Sequence, residues 1–179
     1  WGNSDHGIML RTLQDSVIED NIVAGNSRGF FIYDVEYIKL NRNLVVDNVV
    51  GVHLAAGSTR NEVEGNDFIS NREQVRYVGA RDERWGVKGG NHWSNYVGWD
   101  RDGDGRGDVP YEANDMVDRL TWRYPAIKLL LASPAVQALR LVGQQFPVLR
   151  VPSVVDPHPR MQPGNPKWSE WRGKHFPGQ

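Results

Sequence analysis

The sequence predicts an all-β fold, a right-handed parallel β-helix with coils of about 22 residues. Two landmarks that recur together carry this prediction. Gly7-Ile8-Met9-Leu10 returns as Gly29-Phe30-Phe31-Ile32 and again as Gly51-Val52-His53-Leu54. Within each unit an Asn-x-x-x-x-Asn pair recurs: Asn21 with Asn26, Asn43 with Asn48, Asn66 with Asn71. Between the landmarks apolar and polar residues alternate, the pattern of strands with one buried face. Ile8, Phe30 and Val52 then stack inward, as do Leu10, Ile32 and Leu54, at a strand spacing of about 4.8 Å. Asparagine suits the corners because it tolerates left-handed backbone and its amide can bond the next coil. Asn21, Asn43 and Asn66 are therefore expected to form a structural ladder. A fourth, degenerate unit is expected from Val75 to Asn91.

After the coils the composition shifts. Trp85, Trp93 and Trp99 stand among glycines, which reads as an aromatic cap over the last coil, because a solenoid end must cover its core. Residues 1–98 are thus assigned to coils and cap. Residues 99–111 form an Asp/Gly-rich loop and 112–146 a helical segment. Pro125 suits a short helix start, and Ser133-Pro134 supplies an N-cap followed by proline at the first helical position. Val136, Leu139, Val142 and Phe146 then share one face. Residues 147–163 carry prolines at 147, 152, 157, 159 and 163, which forbid helix and central strand, so they read as an extended arm separable from the coils. Residues 164–179 read as a disordered tail.

Composition excludes several classes of function. The 179 residues carry 21 basic and 22 acidic side chains, a net charge of −1, which argues against nucleic-acid binding. With no cysteine there is no thiol nucleophile, disulfide or thiolate metal site. No apolar run approaches the roughly 18 residues of a spanning helix. The strand following each glycine landmark carries Arg11-Thr12, Tyr33-Asp34 and Ala55-Ala56, so no carboxylate pair stacks for acid–base work on a polysaccharide.

Two metal sites are conceivable. Asp100, Asp102, Asp104 and Asp108 occupy positions 1, 3, 5 and 9 of a calcium loop, with Gly105 at the turn and Arg106 offering its carbonyl at position 7. The closing Glu of such a loop is missing, since Tyr111 stands in its place. Hard oxygen donors select calcium, here as a structural ion. His158 and Met161, three residues apart on the arm, pair imidazole with thioether and are a candidate copper site. Their copper would be a transferred ion. His53 is expected to face outward in register with Phe31 and Met9, and His92 to hold the cap by hydrogen bonding. Val136, Leu139, Val142, Phe146, Val148, Leu149, Val151 and Val154 form an apolar stretch too broken by proline to build a core, and are candidates for docking a partner.

Three blocks, in this order, resemble the NosD family. They are Gly90-Asn91-His92-Trp93-Ser94-Asn95-Tyr96 with Trp99 and the aspartate loop, Asp115 to Ala126, and Ser153-Val154-Val155-Asp156-Pro157-His158-Pro159. The resemblance covers residues 1–163. It implies a periplasmic, non-enzymatic accessory of an ABC transporter that supports maturation of the copper–sulfide centre of nitrous oxide reductase. The implied partners are the transporter permease, a copper-chaperone lipoprotein and the reductase, with the membrane reached only through the permease. Family members are longer, so the chain is expected to be the closing end of a longer solenoid. The alternatives are a carbohydrate-binding or polysaccharide-modifying β-helix of lyase or epimerase type, and a surface adhesin.

Overall fold

A computed structural model describes residues 1–77, 83–113, 124–130, 133–136, 138 and 154–175. Each coil contributes one strand to each of three parallel sheets. The first coil holds β1 (His6–Gln14), β2 (Val17–Glu19) and β3 (Ile22–Ala24). The second holds β4 (Arg28–Glu36), β5 (Lys39–Asn41) and β6 (Leu44–Val46). The third holds β7 (Val50–Leu54), β8 (Glu62–Glu64) and β9 (Asp67–Ile69). The fourth holds β10 (Glu73–Tyr77), β11 (Arg84–Trp85) and β12 (His92–Trp93). The result is the right-handed parallel β-helix that the repeats predict.

The register follows the landmarks. Ile8, Phe30, Val52 and Val75 are successive partners and point inward, with Leu10, Ile32 and Leu54 stacking two residues on. The glycine before each row has its own cause: a Cβ at Gly29 would lie 2.5 Å from the Gly51 carbonyl oxygen, and one at Gly51 would lie 2.6 Å from that of Gln74. Glycine is required because adjacent coils approach backbone to backbone.

The corners correct one expectation. The left-handed residues are Asp20, Arg42 and Gly65 in one column and Gly25, Asp47 and Ser70 in the other, each immediately before an asparagine. The asparagines supply hydrogen bonds instead. The Oδ1 of Asn43 accepts both the backbone N–H and the Nδ2 of Asn21, at 3.1 and 3.0 Å. Asn66 serves Asn43 in the same way, and Asn91 serves Asn66. Nδ2 of Asn43 and of Asn66 also donates to the carbonyl of the inward residue of the coil before, Ile18 or Leu40. A second ladder runs from Asn26 to Asn48 to Asn71. Because Asn43, Asn48 and Asn66 are buried, these bonds satisfy corner amides that water cannot reach.

The aromatic residues are also placed differently. Trp85 and Trp93 are inward strand residues of the fourth coil, paired with Val63 and Phe68. Phe68, Trp93 and Tyr111 stack face to face with centroids 4.4 and 4.3 Å apart. The lid over them is β13 (Tyr111–Glu112), paired antiparallel with β14 (Val155–Asp156), together with Ala113 and Val154. Trp99 lies outside this core and is exposed.

Within residues 164–175 of the expected tail, α1 (Lys167–His175) follows β14 and lies along the outer face of the third sheet. Its Trp168 and Trp171 pack on Ala24, Leu44, Val46 and Ile69. Pro125–Leu130 forms a 3-10 helix, and the Val136 N–H bonds the Ser133 carbonyl as at a helix start. Leu139, Val142, Phe146, Val148, Leu149 and Val151 lie outside the described residues.

Candidate functional site

Residues 154–175 cross the coils as a strap, and two buried carboxylates fix it. Oδ2 of Asp156 accepts the Asn91 N–H at 2.8 Å, the Asn91 Nδ2 at 2.9 Å and the Trp93 indole N–H at 3.0 Å. Asp156 thereby ends the first asparagine ladder. Gly86 lies so close that a Cβ there would overlap the Asp156 carboxylate. The second carboxylate, Asp67, is fully buried on the outer face of β9. It accepts from the Arg160 guanidinium at 2.6 Å and from the backbone N–H groups of Gly164 and Asn165 at 3.2 and 2.7 Å. Arg160 also donates to the carbonyls of Gly65 and Asn66. The described part of the arm, residues 154–163, is therefore held on the coils and closes the last one.

Between the strap and the third sheet lies a cavity of about 360 Å³. Its floor includes His92 and Ile69, and its strap side includes Met161, Gln162, Pro163 and Trp168. The His92 Nδ1 lies 3.0 Å from the Arg160 carbonyl oxygen. A carbonyl only accepts, so Nδ1 carries the proton and Nε2 keeps its lone pair. Burial pushes the pKa of His92 below the ordinary imidazole range, and the nearby Arg160 charge adds to this against the carbonyl bond and Asp67. With Nδ1 on the Arg160 carbonyl, Nε2 is the nitrogen left to act as an acceptor.

Of the candidate copper pair, Met161 lines this cavity and His158 does not. His158 is exposed, its backbone N–H turning onto Asp156. His92, not His158, shares that space. The sequence offered one signal for this: His92 stands at an outward strand position, one residue before the inward Trp93.

In the aspartate loop, ligand oxygens of Asp100, Asp102 and Asp104 lie within 4.8 Å of one another. Asp100 accepts N–H bonds from Gly103, Asp104 and Gly105. The Gly105 bond foremost, with those of Gly103 and Asp104, outweighs slight desolvation and lowers its pKa. Asp108 is not in that cluster; it closes the loop by accepting the Arg101 N–H at 2.8 Å. The Arg106 N–H bonds Asp104, and Arg106 pairs with Arg160 of the strap through an isolated bridge.

Two of the candidate docking residues are spent inside this chain. Val154 belongs to the main core and Val136 is buried. On the first sheet His53 faces outward in register with Phe31 and Met9, stacked edge-on to Phe31 at 5.1 Å. Partial burial lowers its pKa, and Arg76, Arg28 and His6 add to this.

Comparison with known proteins agrees with this geometry. A family model described as the periplasmic copper-binding protein NosD matches residues 1–98. A protein of Pseudomonas aeruginosa named "Probable ABC transporter binding protein NosD" is 46% identical over 162 residues, which cover 90% of this chain and 37% of that protein. A protein of the same name from Stutzerimonas stutzeri is 40% identical over 176 residues, covering 89% of this chain and 40% of its own length. The chain spans about two fifths of the length of these curated relatives. No helix among the described residues is long and apolar enough to cross a membrane. These matches show that the chain belongs to the NosD family of periplasmic copper-binding proteins.

Proposed function

We propose that this chain is a rigid, non-enzymatic docking platform of a periplasmic ABC-transporter accessory protein, supporting maturation of the copper–sulfide centre of nitrous oxide reductase. Copper is its cargo. Its partners are the transporter permease, a copper-chaperone lipoprotein and the reductase. The observation that carries the reading is the strap: buried carboxylates at Asp67 and Asp156 lock residues 154–175 to the coils, so force applied at one end is transmitted to the other.

With Val136 and Val154 buried, the docking surface moves to neighbouring residues. Tyr124, Leu129 and Leu130 are exposed on and before the 3-10 helix, with Leu129 88% accessible. Leu139, Val142, Phe146, Val148, Leu149 and Val151 continue the same apolar stretch in sequence. Replacing Leu129 and Leu130 by Glu should remove co-purification with the permease while the circular dichroism of the coils is unchanged. Retained co-purification would sink the docking proposal.

The aspartate loop is proposed to take calcium through Asp100, Asp102 and Asp104, with Asp108 and the Arg106 carbonyl completing the loop. Calorimetry with Ca²⁺ that shows neither heat nor a thermal shift removes this site. The polysaccharide reading is less well supported. The outward rows of the first sheet are Met9, Phe31, His53 and Arg76, and Arg11 with Tyr33, which contain no carboxylate pair, and the relatives are named for transporter binding.

A further inference from the structure

The cavity beneath the strap has a donor set more specific than its size implies. We propose that His92 and Met161 are the two protein donors of a Cu(I) site in this cavity, one supplied by the coils and one by the strap. The inference rests on the copper reading above and deepens it by naming the site and the oxidation state.

Four observations carry it. First, the Nδ1–H of His92 is engaged by the Arg160 carbonyl at 3.0 Å, while Nε2 has no hydrogen-bond partner among the described residues. That is the arrangement by which proteins orient a ligating imidazole: one nitrogen anchored, the other presented. Second, Met161 lines the same cavity, and a thioether is a soft donor that favours Cu(I). The backbone of Met161 is itself fixed, its N–H bonding the Gly105 carbonyl at 3.0 Å, so the donor sits on a held segment. Third, no carboxylate or thiol lines the cavity, so hard dications that need six or so oxygens find no cage there. Fourth, Trp93 and Trp168 line the same cavity and give it apolar walls.

The test uses the chain under anaerobic, reducing conditions. Cu(I) is titrated against a chromogenic chelator of known affinity, and the copper-loaded chain is examined by X-ray absorption. The expected result is a first shell containing one sulfur and one imidazole nitrogen. Met161→Leu, which keeps the side chain's bulk, should remove the sulfur shell and weaken binding about tenfold or more. His92→Gln should weaken it to a similar extent, and His158→Ala should leave affinity unchanged. Because His92→Gln also disturbs the Arg160 contact, circular dichroism accompanies it, and Met161→Leu decides the matter if that variant unfolds. Unchanged affinity in a folded Met161→Leu chain overturns the site while leaving the copper reading intact. Failure of the unsubstituted chain to bind Cu(I) overturns the site as well, and the transporter reading is then judged separately by the co-purification experiment.

Discussion

The first and third sheets have the same inward chemistry and opposite outward chemistry. On the third sheet β6 and β9 are buried at every position, whereas β4 and β7 of the first sheet keep outward residues such as Phe31 and His53 partly accessible. A strand covered on one face needs only alternate apolar residues, and one covered on both faces reads as a continuous apolar run. Leu44-Val45-Val46 and Phe68-Ile69 are such runs, and the strap is what covers them. The difference teaches that a solenoid's outer surface records, sheet by sheet, whether something lies upon it.

Several substitutions bear on this contrast. The largest effect is expected at the strap's anchor. Arg160→Met leaves Asp67 buried without its cation and should cost about 3–5 kcal/mol in chemical denaturation, with early release of the Trp168 and Trp171 fluorescence signal. A cost under about 1 kcal/mol would mean that the strap is held by apolar packing alone. Next, Leu44→Ala on the outward face of the third sheet should cost about 3 kcal/mol, as in a core. Met9→Ala on the outward face of the first sheet should stay within about 0.5 kcal/mol, and equal effects at the two sites would dissolve the comparison.

Gly29→Ala, common to every coil's geometry, should lower thermal stability by about 1–3 kcal/mol, because the new methyl meets a backbone carbonyl that has no room to move.

The mildest effect is on pH dependence. Burial holds His92 and His53 below the ordinary imidazole pKa, so the unfolded chain binds protons that the folded chain refuses. Stability is fully present above the unfolded-state imidazole pKa of about 6.5 and falls as pH drops from there toward the lowered native values. Replacing His92 by Gln should flatten this slope more than replacing His53, if the strap is the drier side. The reverse order would place the tighter cover on the first sheet.

The coils were legible in the sequence because their determinants are periodic: an inward hydrophobe, a glycine and an asparagine return at nearly constant spacing. The strap was not, for a physical reason. Asp67 and Arg160 are 93 residues apart, and nothing local in a proline-rich stretch says which surface it lies on. The same non-locality bears on the proposed copper donors: sequence proximity pairs Met161 with His158, whereas in the fold Met161 lines a cavity together with His92. Two clues were present. The third sheet's strands are apolar beyond what one buried face requires, and Asp67 interrupts their outer column where only a buried partner makes a carboxylate tolerable.

The end of the first asparagine ladder has a further consequence. Asn43, Asn66 and Asn91 each give and receive and Asn21 only gives, so the series points one way along the solenoid axis, and the Asp156 carboxylate that finishes it can only receive. Such a series has a head and a stop. Another coil of the same type could join at the Asn21 end, where the amide oxygen can still receive an N–H, but not beyond Asp156, where a coil would find nothing donated to it. Coil number in this architecture is therefore a free variable on one side and a fixed one on the other. Engineered lengthening should succeed by coils added anywhere before Asn91 and fail beyond Asp156.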